Sequence, residues 1–162
     1  PNYEFLARGG RWGYAGAEAG ATGPLNKSET LLYRLDFGFN RADGWRDAGW
    51  RRVNVSPAVH WRATSRDQLN FYSILTFDDF DGDAGFPLLR PAGQNNPFRA
   101  NIIPNIDFSR RFSTPSDFQR TRDAIPQMFW THSFNDNVRL RNAFSYRLFN
   151  DEYFVAETLS NN

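Results

Sequence analysis

Leu31-Leu32-Tyr33-Arg34-Leu35-Asp36-Phe37-Gly38-Phe39-Asn40 decides the fold, because Tyr33, Leu35, Phe37 and Phe39 share one parity while Arg34, Asp36 and Asn40 share the other. Successive side chains of a strand point to opposite faces, so this spacing describes a strand with one oily and one wet side. The same period recurs along the chain. Val53, Val55, Val59 and Trp61 alternate with Arg52, Asn54, Ser56, His60 and Arg62; Leu69, Phe71, Leu75 and Phe77 fall in phase; Leu140, Phe144, Tyr146 and Leu148 alternate with Arg139, Arg141, Ser145 and Arg147. The functional question is what the oily face touches: a second sheet, or lipid.

Working outward, alternation and turn residues predict about seven strands. They fall near Asn2 to Gly9, Arg11 to Thr22, Thr30 to Arg41, Arg51 to Ala63, Leu69 to Asp79, Ala124 to Phe134 and Val138 to Asn150. Pro57 cannot donate to a ladder and predicts a bulge or a local edge in the fourth strand. Phe129 breaks the alternation of the sixth. The polar turns near Asn26, Ser65 and Asn135 are short, whereas the connections Ala42 to Gly49 and Asp81 to Arg122 are longer. Antiparallel strands then place every short turn at one end and every long loop at the other, the pattern of outer-membrane barrels. From Trp50 to Trp61 the chain climbs roughly 28 Å at about 3.3 Å per residue and a tilt near 40°. That matches an apolar band flanked by aromatic girdles, although the two Trp have opposite parity and share a face only if a bulge shifts the phase.

Composition narrows the function classes. Aromatics form 17% of the 162 residues, with 16 Phe, 6 Tyr and 5 Trp, which disfavours disorder. Mean hydropathy is −0.64 and no apolar run approaches the roughly 18 residues of a spanning helix. Transmembrane strands escape that test, since only alternate residues need be apolar. Among 19 basic residues only Lys27 is lysine, which suits either an Arg-biased genome or guanidinium groups paired with carboxylates and anionic ligands in a polar interior. Eighteen acidic residues cancel that charge, so nucleic acid is not an expected partner. The absence of cysteine removes disulfides, thiolate catalysis and Cys-based metal sites. No signal peptide is visible, and the chain, running from Pro1 to Asn162 without an initiator Met, reads as an internal piece of a longer protein.

Gly23-Pro24-Leu25, Tyr33-Arg34 opening a strand, and Val55-Ser56-Pro57-Ala58-Val59-His60-Trp61-Arg62 before a polar turn resemble the early barrel of TonB-dependent siderophore receptors of Gram-negative outer membranes. Asp81-Gly82-Asp83-Ala84-Gly85-Phe86-Pro87-Leu88, Ser116-Asp117-Phe118 and His132-Ser133-Phe134-Asn135-Asp136 follow in the same order and spacing, so the resemblance covers nearly the whole chain. It implies an all-β fold whose antiparallel strands form part of a large transmembrane β-barrel, 22-stranded with a plug in its lumen. Residues 1–162 would be one partial barrel domain, lacking the plug. The implied function is import of a ferric siderophore, with outer-membrane lipid, lipopolysaccharide, the plug and the TonB complex as partners. A plug-free porin-like barrel and a soluble carbohydrate-binding β-sandwich remain the alternatives.

Site residues follow from this frame. Arg34, Arg52, Arg62, Arg139, Arg141 and Arg147 are expected to face the lumen. Arg99, Arg110 and Arg111, with Arg120 and Arg122 nearby, stand in or beside the longest connection, where they meet either the anionic oxygens of a ferric chelate or loop aspartates and lipopolysaccharide phosphates. Trp45, Trp50, Phe98, Phe108 and Tyr153 stack on a ligand ring or anchor the rim at the interface. Asp78-Asp79-Phe80-Asp81-Gly82-Asp83 concentrates carboxylates around a glycine but lacks the spacing of a calcium loop, and reads as a solvated rim turn. His60 and His132 lack metal-ligand spacing, so no metal or cofactor is expected, and no nucleophile elbow or paired acid and base points to an enzyme.

Overall fold

The computed structural model describes residues 1–83, 85–86, 88–89, 101–102 and 104–156. The described residues form strands and connections, with no helix among them: β1 (Asn2–Gly9), β2 (Ala15–Pro24), β3 (Leu31–Ala42), β4 (Trp50–Arg62), β5 (Asp67–Asp81), β6 (Leu88–Leu89), β7 (Asn101–Ile102), β8 (Phe118–Ser133), β9 (Arg139–Ser145) and β10 (Leu148–Phe154). All pairings are antiparallel. The main sheet runs β1-β2-β3-β4-β5-β8 and ends on β9 and β10, which both pair with β8; β6 and β7 make a separate two-stranded ribbon. Each long strand thus lies beside its predecessor, as short connections dictate. The sheet is open, with β1 and β10 at its edges.

The register against β8 is common to β9 and β10. Met128 faces Phe144, and four residues back Ala124 faces Leu148, four residues on. They are therefore one strand with a gap. The gap has a chemical cause: Tyr146 N–H donates to the Pro126 carbonyl at 3.0 Å, and Pro126 has no N–H with which to return the bond.

Pro57 behaves in the same way, which corrects the expected bulge or edge. It sits in an interior strand opposite Leu35 of β3, and the β4–β5 ladder passes from Val55↔Leu75 to Ala58↔Tyr72 with three residues on each strand. The pairing lapses without a residue being inserted. No phase shift follows, so Trp50 and Trp61 lie on opposite faces: Trp50 with Arg52, and Trp61 with Val59. Both prolines flank Ser73 of β5, directly on the β8 side and through the β4 register on the other.

Directly opposed residues share a face, so these registers assign the strand side chains of the main sheet. One face carries Phe5, Ala19, Phe37, Val55, Leu75, Ala124 and Leu148 in a single row. The other carries Arg34, Arg52, Arg62, Arg139, Arg141 and Arg147, all on one side as the spacing predicted. Phe129 belongs to this polar face, where its ring meets Tyr72 edge-on at 5.9 Å. No apolar side chain is buried among the described residues, and Phe37, Leu35 and Phe71 remain 41–44% exposed. The sheet is a single layer without a core of its own.

The connections follow the expected asymmetry from β2 onward, and the first hairpin departs from it, its short turn lying at the long-loop end. At one end the chain turns at residues 25–30, 63–66 and 134–138; at the other lie residues 10–14, 43–49 and the longest connection. The tightest of the latter is Arg11–Tyr14, where Tyr14 N–H donates to Arg11 C=O at 3.2 Å. Trp12 and Gly13 both take positive φ, 55° and 68°, the turn whose twist matches a hairpin. Three boundaries differ from expectation, the last strand running on to Phe154 instead of ending at Asn150. β2 starts at Ala15 because Arg11 to Tyr14 is this turn, and β8 starts at Phe118, so Arg120 and Arg122 are strand residues on the apolar face.

If the lapse at Pro57 comes only from its missing N–H, Pro57→Val restores a donor facing Ser73. Amide hydrogen exchange should then show position 57 protected within a few-fold of Val55 and Val59; free exchange would mean that the strand bends away there.

Candidate functional site

On the polar face, the row nearest the long loops is aromatic. Trp50 faces Phe80, Phe80 faces Gln119, and Gln119 faces Tyr153. Tyr14 extends this row from the first hairpin: its ring lies 6.4 Å from Trp50, and its hydroxyl donates to Asn40 Oδ1 at 2.9 Å. Tyr153 is 70% exposed. A largely aromatic row at the end of this face has no core to fill.

The next row is charged and locked. Arg52 donates from Nε to Asp78 Oδ1 at 2.6 Å and from Nη2 to Oδ2 at 2.7 Å, the bidentate geometry that planar guanidinium favours. Asp78 is one of three buried polar residues among those described, at 6% exposure, and Arg52 neutralises it. Asp151 accepts from Thr121 Oγ1 at 2.7 Å and from Gln119 Nε2 at 3.2 Å. Further along the face, Arg147 makes the same two-pronged pair with Asp123, at 2.9 and 2.8 Å, and Arg34 with Asp36, at 2.7 and 2.8 Å. Two concavities open here. One, of about 520 Å³, is lined by Phe80, Gln119, Asp151 and Tyr153; the other, of about 470 Å³, by Arg34, Asp36, Asn40 and Asn54 beside Gly20 and Gly38.

The base of the long connection is pinned by two residues. Arg111 donates to the carbonyls of Gly82 at 3.0 Å, Asp47 at 2.9 Å and Thr114 at 3.2 Å, tying three segments together. Three of its five N–H donors are engaged by these carbonyls. Asp117 is 1% exposed and accepts from the Thr114 hydroxyl and amide and from Ala156 N–H. These bonds hold its carboxyl below the ordinary value of 3.8, the Thr114 hydroxyl contributing most.

The remaining expected ligand residues are scattered. Trp45 is 52% exposed and carries the Arg46 guanidinium 5.1 Å from its ring centroid; the same guanidinium lies 4.5 Å from Phe86 and pairs with Asp83. Phe86 meets Phe108 at 4.9 Å and Phe112 at 6.0 Å, and Arg110 stacks on Phe112 at 5.7 Å. Arg99 and Phe98 lie outside the described residues. Arg62 donates to Glu29 C=O at 2.7 Å, and Arg141 stacks on Phe129 at 4.9 Å. Arg120 and Arg122, expected in the loop, instead stand on the opposite face, Arg122 paired with Asp79 at 2.6 Å.

The acidic run from Asp78 to Asp83 is dealt out by strand alternation. Asp78 pairs with Arg52 on one face, Asp79 with Arg51 and Arg122 on the other, and Asp83 with Arg46 in the loop. No group of three metal-ligating side chains occurs among the described residues. Tyr14, Phe80, Asp151 and Arg46 were not anticipated. The parity of Phe80 with Asp78 and Arg52 was the available signal, obscured by the carboxylates around it.

No protein-family model matches the chain, and no curated protein does. Among solved structures, the chain is similar to the ferric-catecholate import receptor Fiu of E. coli K12. Against its closed form the TM-score is 0.71 at 18% identity, over 94% of this chain and 22% of that one. Against its open form the values are 0.71, 17%, 94% and 24%. The chain therefore spans less than a quarter of the structures it resembles. At such identity the likeness establishes the fold: an all-β antiparallel sheet, unclosed, of the kind that forms part of a barrel wall.

The lowered Asp117 carboxyl predicts a pH effect. Its stabilisation is complete above the ordinary value of 3.8 and is lost as pH falls through the lower folded value. Protection of the Thr114 and Ala156 amides, measured relative to their intrinsic exchange rates, should fall on acidification below that point. Asp117→Asn should abolish the step, and an unchanged step would assign it to another group.

Proposed function

We propose that this chain is part of the wall of a TonB-dependent outer-membrane receptor that imports a ferric siderophore. The observation that carries the reading is a one-layer sheet with segregated faces and no buried apolar side chain among the described residues. A soluble sheet must bury its oily face against another layer. Here Phe37, Val55 and Leu75 have no such layer, whereas acyl chains would cover them in a bilayer. The edge strands β1 and β10 would pair with neighbouring strands, since a sheet in lipid tolerates no open edge. From Val53 to Trp61 the apolar side of β4 climbs about 20 Å at a tilt near 40°, close to the roughly 25 Å apolar band of such barrels.

The polar face is then the lumen. Arg34, Arg52 and Arg147, each held by a carboxylate, make a wall that water or a plug domain can contact without exposing unpaired charge. The plug and the TonB complex act through segments outside this chain, and no residue here is assigned to energy coupling. The aromatic row Tyr14, Trp50, Phe80 and Tyr153 stands where an arriving chelate first meets the lumen. Its ring faces suit a catecholate ligand, the class named for the structural neighbour. Arg110, Trp45 and Arg99 are proposed as loop contacts to the chelate, its anionic oxygens meeting the guanidinium groups.

Two measurements test the reading on the complete protein. Charge placed on a lipid-facing site costs about 2–4 kcal/mol at mid-bilayer. Phe37→Arg should therefore block heat-stable assembly into membranes while Arg34→Ala assembles normally, and equal damage from both would defeat the face assignment. Trp50→Ala should weaken binding of a ferric catecholate by about three- to tenfold and leave a ring-free ferric hydroxamate unaffected. Failure of the assembled protein to bind any ferric chelate would overturn the transport function.

A further inference from the structure

At its short-turn end the polar face departs from the pairing seen elsewhere on it. Arg34, Arg52 and Arg147 each meet a carboxylate through two hydrogen bonds. Arg139 and Arg141 stand on β9 of the same face, opposite Ser133 and Thr131 of β8. Neither pairs with a carboxylate among the described residues. Two guanidinium groups on one side of one strand, about 7 Å apart along it, repel each other and favour an anion between them.

Beside them opens a concavity of about 390 Å³ that Gln68, Asn70, Tyr72 and Phe129 also line. Asn70 Oδ1 accepts from His60 Nδ1 at 2.7 Å, which leaves the Asn70 amide nitrogen to donate. The Phe129 ring holds the Arg141 guanidinium 4.9 Å from its centroid, fixing that group without consuming any of its N–H donors. Tyr72 meets Phe129 edge-on and is itself 44% exposed. Ala143, which faces Phe129 from β9, has too little bulk to fill the space. The hollow thus combines two cationic forks, an amide donor and an uncovered aromatic ring, with no carboxylate in its lining.

We propose that this hollow binds an aromatic carboxylate, its carboxyl group bridging Arg139 and Arg141 and its ring lying against Tyr72. The inference rests on the barrel reading above and adds a second ligand station, at the end of the lumen away from the aromatic row. Phe80 of that row and Gln68 of the hollow are separated by about 40 Å along β5, at about 3.3 Å per residue. A planar guanidinium can give a carboxylate two parallel hydrogen bonds, which accounts for the arginines. A bare inorganic anion would leave Tyr72 uncovered, whereas an aromatic acid covers it with its own ring. The volume of about 390 Å³ lies near the lower limit of small-molecule sites, roughly 300–1,000 Å³, and suits a single ring acid better than a complete chelate.

The test uses the complete protein that contains this chain, purified in detergent and titrated with benzoate, with binding read by saturation-transfer NMR. Arg139→Gln with Arg141→Gln should weaken binding by about tenfold, and Tyr72→Ala by about three- to tenfold. Arg34→Gln should leave it unchanged. Arg141→Lys keeps the charge but loses the fork, so it should fall between wild type and the double variant and serves if the Gln variants fail to assemble. Cyclohexanecarboxylate, of the same charge but without an aromatic ring, should bind more weakly than benzoate, and equal binding would overturn the ring contact. Displacement of benzoate by an equal concentration of inorganic phosphate would overturn the proposal. So would a double variant that loses assembly while the wild type ignores benzoate, the sign that a carboxylate of the same protein fills the hollow. A wild-type protein that needs no detergent would refute the barrel reading itself, whereas an assembled receptor that binds a ferric catecholate but not benzoate refutes this station alone.

Discussion

Cross-strand backbone pairing in constant register is the constraint on which this molecule depends, because the sheet has no packed core to hold it otherwise. Each ladder fixes which side chains share a face, and a slip of one residue would move Phe37, Val55 and Leu75 together to the wet side. That collective penalty explains how Pro57 and Pro126 are tolerated in interior strands. Each removes a single donor, a local loss, whereas inserting a residue to avoid it would invert every side chain beyond. The strands accept the missing bonds and keep the phase.

The charged groups follow the same logic one level up. On the polar face Arg34, Arg52 and Arg147 are each matched by a carboxylate within reach of a two-pronged contact, a geometry that lysine cannot reproduce. This gives the scarcity of lysine a structural use. At the loops, Arg111 and Asp117 turn the same hydrogen-bonding capacity toward backbone groups. They convert three separate connections into one base from which Trp45, Phe86 and Phe108 project. The apolar face shows the contrary arrangement at its boundary, where Arg41 opposes Arg51 without a carboxylate of its own for each.

Much of this was legible in the chain. The alternation around Tyr33 to Phe39 announced β3, and the parity of the six arginines placed them on one face before any pairing was known. Legibility failed where a strand carried the wrong chemistry for its face. Phe118 to Asp123 contains no oily alternation, since Arg120 and Arg122 occupy the apolar side, so the first part of β8 was read as loop. Phe129 and Trp50 were obscured for the converse reason, being aromatic residues on the polar face. Pro57 was misjudged because a missing donor and an inserted residue leave the same mark in a sequence.

The sequence by itself determined strand type, face assignment and, beyond the first hairpin, the alternation of long and short connections, because these depend on a two-residue period and on local turn chemistry. Only the tertiary structure decided which residues stand side by side. Trp50, Phe80 and Tyr153 are far apart in the chain and become one row through ladder register; Asp79 meets both Arg51 and Arg122 for the same reason. Register is a cooperative property of whole strands, summed over many weak pairings, and no single segment encodes its neighbour's phase.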